Sequence, residues 1–375
     1  MKYYIIAGEA SGDLHGSNLI RHLKLNDSEA DVRCWGGELM QHQGAKLVKH
    51  YRDTAFMGFV EVIKNLGIIR KLFKFCHQDI LDFQPDIIIL IDYPGFNLRI
   101  AKWAFEHDIK VFYYISPQLW AWHSSRVKQV KKYVSKMFVI LPFEKDFYQK
   151  YQYEVDYVGH PLLDITTNYE TNTNFLSQNG LNEKPIIALL PGSRKQEIYS
   201  MLPIMLEMID QFKDYQFVVA GAPSQSAEFY QEIIKDKPVK IVFGKTYDLL
   251  DKSYAALVTS GTATLESALF KVPQVVCYKA NALSYQIAKR LVSIKYISLV
   301  NLIADKLIVK ELIQNELNTQ NLTYELTKIL DKTKRVNILS NYDQLIALLG
   351  NRGASEKTAR LMINYLQGED NELFI

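Results

Sequence analysis

Short runs of Ile, Val, Tyr and Phe recur along this chain, separated by longer mixed stretches, and that alternation narrows its possible folds more than any other feature. In the first half the runs are Tyr3–Ala7, Val32–Trp35, Ile87–Ile91, Val111–Ile115, Met137–Leu141 and Val155–Val158. Most are continuous rather than alternating in polarity, the pattern of parallel strands covered on both faces. The intervals are long enough for crossover helices, so this half predicts a βαβ-type parallel sheet. An Asn- and Thr-rich stretch at 164–184 carries few apolar groups and suits an interdomain linker running into a short helix. The alternation then restarts with Ile186–Leu190, Phe217–Ala220, Lys240–Phe243, Ala255–Val258 and Gln274–Cys277, and the chain from about Asn321 onward patterns as helix. A length of 375 residues leaves room for two domains. The expected fold class is therefore α/β, with two Rossmann-like, doubly wound parallel-sheet domains facing a cleft. The expected domains are residues 1–165, residues 166–345, and a C-terminal helical segment, 346–375. That segment either crosses back to the first domain or exchanges with a partner subunit in a homodimer.

Charge and cysteine content exclude several classes. A net charge of +3, from 44 basic and 41 acidic side chains, is too balanced for a general nucleic-acid binder, which needs a clustered basic excess. Cys34, Cys76 and Cys277 are far apart and form neither a disulfide framework nor a Cys-x-x-Cys site, which favours a reducing compartment. No apolar run approaches the ~20 residues of a membrane span. The opening MKYYIIAGEASGD is interrupted by Glu9 and Asp13 and does not read as a signal peptide. A cytoplasmic protein is expected, with attachment to a membrane surface left open.

Ligands of open parallel sheets sit beyond the carboxyl ends of the strands, and four loops there carry chemistry. The first is Gly8-Glu9-Ala10-Ser11-Gly12-Asp13. Gly8 and Gly12 permit tight turning, Ser11 or Asp13 could cap the next helix, and the acid at Glu9 suits a sugar hydroxyl better than a pyrophosphate. The second, Asp92-Tyr93-Pro94-Gly95-Phe96-Asn97, follows the most hydrophobic strand. Asp92 there is either a catalytic carboxylate or the cap of a helix-initiating turn. The third, Leu190-Pro191-Gly192-Ser193-Arg194, offers Ser193 and a guanidinium to an anionic group. It lacks the Gly-Lys-Ser/Thr of a P-loop. The fourth, Ser260-Gly261-Thr262-Ala263-Thr264-Leu265-Glu266, exposes backbone N–H groups at a helix start, where the dipole favours a diphosphate. Glu266 either accepts from ribose hydroxyls or simply complements that dipole.

No His, Cys, Asp or Glu group has metal-ligand spacing, there is no Asp-x-Asp, and no Gly-x-Ser-x-Gly elbow is present. A metal-independent site without a cofactor is expected. His160 reads as an interdomain structural residue and His15 as a surface residue, rather than as catalysts. The stretch Phe56–His77 places Phe59, Val62, Ile63, Leu66, Ile69, Phe73 and Cys76 on one helical face, edged by Lys64, Arg70, Lys71 and Lys74. Such a face either binds an anionic membrane or acyl chains, or packs on a core. A second region, Ile287–Ile303 with Lys289, Arg290 and Lys295, has the same character.

Eight motifs occur in one order: GEASGD at 8–13, MGFVEV at 57–62, IDYPGFN at 91–97, SPQLWAW at 116–122, LPFEKDFY at 141–148, VGHPL at 158–162, LPGSR at 190–194 and SGTATLE at 260–266. Together they closely resemble the lipid-A-disaccharide synthase family, inverting glycosyltransferases with the two-Rossmann GT-B fold. The resemblance spans at least residues 3–310. It implies transfer of 2,3-diacylglucosamine from its UDP donor to the 6-hydroxyl of 2,3-diacylglucosamine 1-phosphate. The products are a β-1′,6-linked disaccharide 1-phosphate and UDP, in lipid A synthesis of Gram-negative bacteria. The family's important acids and arginine fall on Glu9, Asp92, Arg194 and Glu266, and a further polar position falls on Asn301. Some members carry a second acid where this chain has Gly95, which favours Asp92 as the base over an acid at that position. Acylated substrates imply peripheral association of the Phe56–His77 region with the cytoplasmic face of the inner membrane. The rival expectations are a peptidoglycan glycosyltransferase, a UDP-N-acetylglucosamine 2-epimerase, or a lipid or nucleotide-sugar binding protein without turnover.

Overall fold

The computed structural model describes residues 1–53, 66–122, 124–280 and 295–368. Its contacts divide the chain into two units, Met1–Asp164 together with the segment from Asn351 onward, and Ile165–Gly350.

The first unit is built on a seven-stranded sheet in the order β3-β2-β1-β4-β5-β6-β7. Its strands are β1 (Lys2–Ala7), β2 (Asp31–Gly36), β3 (Lys46–His50), β4 (Ile87–Ile91), β5 (Val111–Tyr114), β6 (Lys136–Val139) and β7 (Asp156–Tyr157), and every pairing is parallel. The Ile-Ile-Ile-Leu-Ile run of β4 lies between β1 and β5 and is wholly buried, because helices cover both faces. Tyr4, Ile6, Ile88, Leu90, Val111, Tyr113, Met137 and Val139 point to one face. There they pack with Cys76, Ile80, Ile100, Ala104 and Val130 of the helices Leu66–Phe83, Pro94–Phe105 and Val127–Tyr133. On the other face the helix Ala10–Asn26 lies against the final helix Ala354–Gln367, whose Tyr365 ring meets Phe112 edge-on. The start of that final helix is fastened by Asp164, whose carboxylate accepts from the backbone N–H groups of Gly353 and Ser355. An acceptor placed there satisfies donors that a helix start leaves unpaired.

The second unit carries a six-stranded parallel sheet in the order β10-β9-β8-β11-β12-β13. The strands are β8 (Ile186–Leu190), β9 (Gln216–Gly221), β10 (Lys240–Phe243), β11 (Ser253–Thr259), β12 (Gln274–Tyr278) and β13 (Lys310–Ile313). Ile187, Leu189, Val219, Leu257 and Val275 face one core, while Ala188, Leu190, Val218, Ala256 and Val258 face the other. The Asn/Thr-rich stretch expected as a linker is tied down on this unit. Tyr169 Oη donates to Asp248 at 2.6 Å, Asn172 Nδ2 reaches the same carboxylate, and Phe175 is fully buried.

Two strands, β3 and β13, are absent from the expected set. Both are outermost in their sheets, and KLVKH and KELI mix charged with apolar residues as half-covered edges do. Glu144, in the LPFEKDFY motif, has a structural role. Its buried carboxylate accepts from the backbone N–H groups of Ile140 and Leu141 just past β6, and burial pushes its carboxyl up to about 7.

His15 and His160 are both buried, at 5% and 2% exposure, so His15 is not the surface residue expected. His160 Nδ1 accepts from the Leu162 N–H. Burial lowers His15 to about 4, against the attraction of Asp164, and lowers His160 to about 3, with repulsion from His15 added. The folded protein therefore holds both rings neutral, whereas the unfolded chain protonates them below about pH 6.5. Stability falls as pH drops through 6.5 and keeps falling until the folded values are reached, by roughly 2 kcal/mol per histidine between pH 8 and pH 5. Urea unfolding at the two pH values measures this. A His15→Asn/His160→Asn variant should lose less stability over the same interval, and an equal loss would contradict the assignment.

Candidate active site

Sheet order turns the four loops into two pairs. In the first sheet β1 and β4 are neighbours, with Ala7 in register with Ile91, and their chains leave toward opposite flanks of the sheet. The loops that begin at Gly8 and Asp92 therefore emerge side by side at the switch point of the sheet, where ligands of doubly wound folds bind. In the second sheet β8 and β11 are the corresponding neighbours, with Leu190 in register with Val258. The Pro191–Arg194 loop and the Ser260–Glu266 loop emerge together there.

In the first pair, Glu9 and Asp92 are both partly buried. Asp92 and Tyr93 are consecutive non-glycine residues with positive φ, 45° and 49°. Ile115, just past β5, has φ 64°, so strained backbone gathers at these strand ends, as it does at many functional sites. The Tyr93 ring lies over Gly8, where a Cβ would meet Tyr93 Cγ at 2.3 Å. Glycine at 8 is thus a close-approach residue rather than a turn residue. Burial and the nearby charge of Glu9 push the Tyr93 hydroxyl up to about 12. Ser11 is partly buried, and Gly12 is buried against Ala7.

Asp13 does not belong with the acceptor-binding groups. It is 3% exposed, and its carboxylate accepts from the N–H groups of Gly37 at 2.7 Å, Met40 at 3.1 Å and Leu39 at 3.2 Å. It caps the short helix Glu38–His42, not the helix in which it sits.

In the second pair, Gly192 has φ +108° and Gly261 φ +156°, and Gly261 is exposed with nothing near its missing Cβ. Arg194 and Ser193 are exposed. Glu197 accepts from both their backbone N–H groups and lies 3.4 Å from the Arg194 guanidinium, forming a capping box at the helix Lys195–Leu206. Thr262 and Ala263 are partly exposed at the start of the helix Thr262–Leu269. Thr264 is buried, its hydroxyl donating to Gly261 O. Tyr247 Oη donates to Glu266 Oε1 at 2.9 Å, and burial raises the Glu266 carboxyl while that bond pulls it back.

Asn301 is not placed to touch a donor. It is fully buried, and all four hydrogen-bonding positions of its amide are used internally. Nδ2 donates to Val309 O and Glu311, and Oδ1 accepts from Ile308 N and Val309 N. It fastens the turn into β13.

The basic amphipathic stretch is described from Leu66 onward; Phe59, Ile63 and Lys64 lie outside the described residues, as does the side chain of Leu66. Residues 287–290 of the second such region also lie outside them. Phe73 faces inward, stacked on Phe96 at 4.4 Å, and Cys76 is buried, so this face of the helix is core rather than a free apolar surface. Arg70, Lys71 and Lys74 are exposed, together with Ile68 and Phe75, each 47% exposed. No helix among the described residues is long and apolar enough to cross a membrane. Sequence reasoning missed Asn97, Tyr113, Glu197 and Tyr247 as site residues. Asn97 was within reach as the last residue of IDYPGFN, whereas Tyr113 is an ordinary strand residue until the sheet order is known.

The solved structures most useful for comparison share this architecture. The putative UDP-N-acetylglucosamine 2-epimerase from Listeria monocytogenes matches with a TM-score of 0.73 at 13% identity, over 100% of this chain and 99% of that chain. The UDP-GlcNAc 2-epimerase from Neisseria meningitidis, bound to UDP-GlcNAc, matches with a TM-score of 0.67 at 14% identity, over 97% and 100%. These likenesses establish the fold: two parallel-sheet α/β domains of the class shared by GT-B glycosyltransferases and epimerases. Sequence separates those two. A family model described as Lipid-A-disaccharide synthetase matches residues 3–364. The lipid-A-disaccharide synthase of Syntrophus aciditrophicus (strain SB) is 38% identical over 98% of this chain and 98% of its own length. That of Trichlorobacter lovleyi (strain ATCC BAA-1151 / DSM 17278 / SZ) is 36% identical over 97% of each. The chain belongs to the lipid-A-disaccharide synthase family and is a glycosyltransferase of lipid A biosynthesis.

Proposed function

We propose that this enzyme moves 2,3-diacylglucosamine from UDP to the 6-hydroxyl of 2,3-diacylglucosamine 1-phosphate in one inverting displacement. The observation that carries the division of labour is the pairing of loops at two switch points, acids on one sheet and Arg194 with a helix start on the other. The first unit takes the acceptor, with Gly8, Ser11 and Gly12 shaping its loop. Asp92 removes the 6-hydroxyl proton as that oxygen attacks the anomeric carbon, and Glu9 is the alternative base. The second unit takes the donor. Its diphosphate rests on the helix start at Gly261–Ala263 beside Ser193 and Arg194, and Glu266 holds the ribose. Fixed donors meet the charge that grows on departing UDP, so no metal is needed.

The test is a condensation assay with both acylated substrates in detergent micelles, with and without EDTA. Equal disaccharide formation in the two is expected. No disaccharide from folded, UDP-binding protein would contradict the acceptor assignment.

The acylated substrates also place the enzyme on the cytoplasmic face of the inner membrane. With Phe73 in the core, the contact falls to Ile68, Phe75, Arg70, Lys71 and Lys74. Ile68→Ser/Phe75→Ser should weaken sedimentation with phosphatidylglycerol vesicles about tenfold, from the apolar area withdrawn. Unchanged binding would remove this helix from the membrane contact.

A further inference from the structure

The turn that presents Asp92 is held by groups that do no chemistry themselves. The Asp92 N–H donates to Tyr114 O, continuing the ladder toward β5. The Asp92 carbonyl accepts twice, from Asn97 Nδ2 at 2.8 Å and from the Tyr113 hydroxyl. Asn97 is fully buried in the first turns of the helix Pro94–Phe105, and its Nδ2 also lies 3.2 Å from Ile91 O, the last carbonyl of β4. Tyr113 is fully buried on β5, one strand away. From the other side the Tyr93 ring is clamped between Gly8 and Phe96, its centroid 5.7 Å from the Phe96 ring. Two successive left-handed residues relax unless their surroundings over-determine them, and here three elements do so.

We propose that Asn97 and Tyr113 are positioning residues for the transfer reaction: by gripping the Asp92 carbonyl they hold the left-handed Asp92-Tyr93 turn and so aim the Asp92 carboxylate. The inference rests on Asp92 being the base. A carboxylate misplaced by an ångström loses rate at the proton-transfer step without losing either substrate. Removing one buried hydroxyl or one buried amide that grips the Asp92 carbonyl should therefore lower kcat and spare KM.

The experiment is a kinetic cycle on the full-length enzyme with both acylated substrates. It compares wild type, Tyr113→Phe, Asp92→Asn and the double variant, with Asn97→Ala as a second probe of the same grip. Thermal melts confirm that each variant is folded. Tyr113→Phe is expected to lower kcat by roughly 10- to 100-fold, with KM for both substrates within about twofold of wild type. In the Asp92→Asn background the same substitution should leave the residual rate unchanged, because no carboxylate remains to aim. Asn97→Ala should show the same kcat-against-KM split. An equal fractional loss in both backgrounds would mean a general structural effect and overturn the proposal. Wild-type kcat in folded Tyr113→Phe and Asn97→Ala, with Asp92→Asn inactive, would overturn it while leaving Asp92 as base. Near-normal turnover of Asp92→Asn would instead remove the base assignment, and the proposal with it.

Discussion

Asp92→Asn should lower turnover by roughly 10²- to 10⁴-fold, the range that a positioned general base contributes, and leave the fold intact. The substitution is close to isosteric, and the left-handed φ of 45° at this position is one that Asn adopts readily. The hydrogen bonds from Asn97 and Tyr113 go to the backbone carbonyl, not to the carboxylate, and survive the change. What is lost is the carboxylate proposed to take the acceptor's proton. Initial rates at saturating substrate together with a thermal melt measure the two halves of this statement. Turnover close to wild type would pass the role of base to Glu9, the other acid at the same switch point.

Arg194→Ala carries the second large effect, a loss of roughly 10²- to 10³-fold in kcat/KM for the donor. The guanidinium is half exposed and lies 3.4 Å from Glu197, an exposed pairing that contributes little to stability. The variant should therefore fold normally and fail only where negative charge develops on the diphosphate. Arg194→Lys should recover part of the loss, since an ammonium supplies the charge without the paired hydrogen bonds of the guanidinium. Varying the UDP-sugar concentration separates the effects on KM and kcat. Donor kinetics unchanged in Arg194→Ala would move the diphosphate away from this loop.

The parts of the fold legible in the sequence are those whose physics is local. Runs such as Ile87–Ile91 and Ile186–Leu190 are apolar throughout because both faces of the strand are covered, and their short length and β-branched content mark them as strands. The edge strands Lys46–His50 and Lys310–Ile313 escaped because a half-covered strand keeps its charges. Glycine turns and helix starts marked all four candidate loops, but not their pairing, which depends on strand order.

Asp13, Phe73 and Tyr113 share one cause of misjudgement: their partners are distant in sequence. Asp13 looked available until it was found capping a helix that begins 25 residues later, at Glu38. Phe73 belonged to an amphipathic face whose other side turned out to be Phe96. Asn301 resembled a site residue by motif, yet the turn leading to β13 consumes its whole amide. Tyr113 carried no signal at all, because its hydroxyl matters only once β4 and β5 are known to be neighbours.

The most direct measurement is the stereochemistry and position of the new bond, made with donor labelled with carbon-13 at the anomeric carbon and the product read by NMR. A single displacement driven by a base opposite the departing UDP predicts the β anomer, linked to the acceptor's 6-oxygen. An α linkage would contradict the one-step transfer, and attachment at another hydroxyl would contradict the 6-hydroxyl as acceptor, the two premises of the roles proposed for Asp92, Arg194 and Glu266.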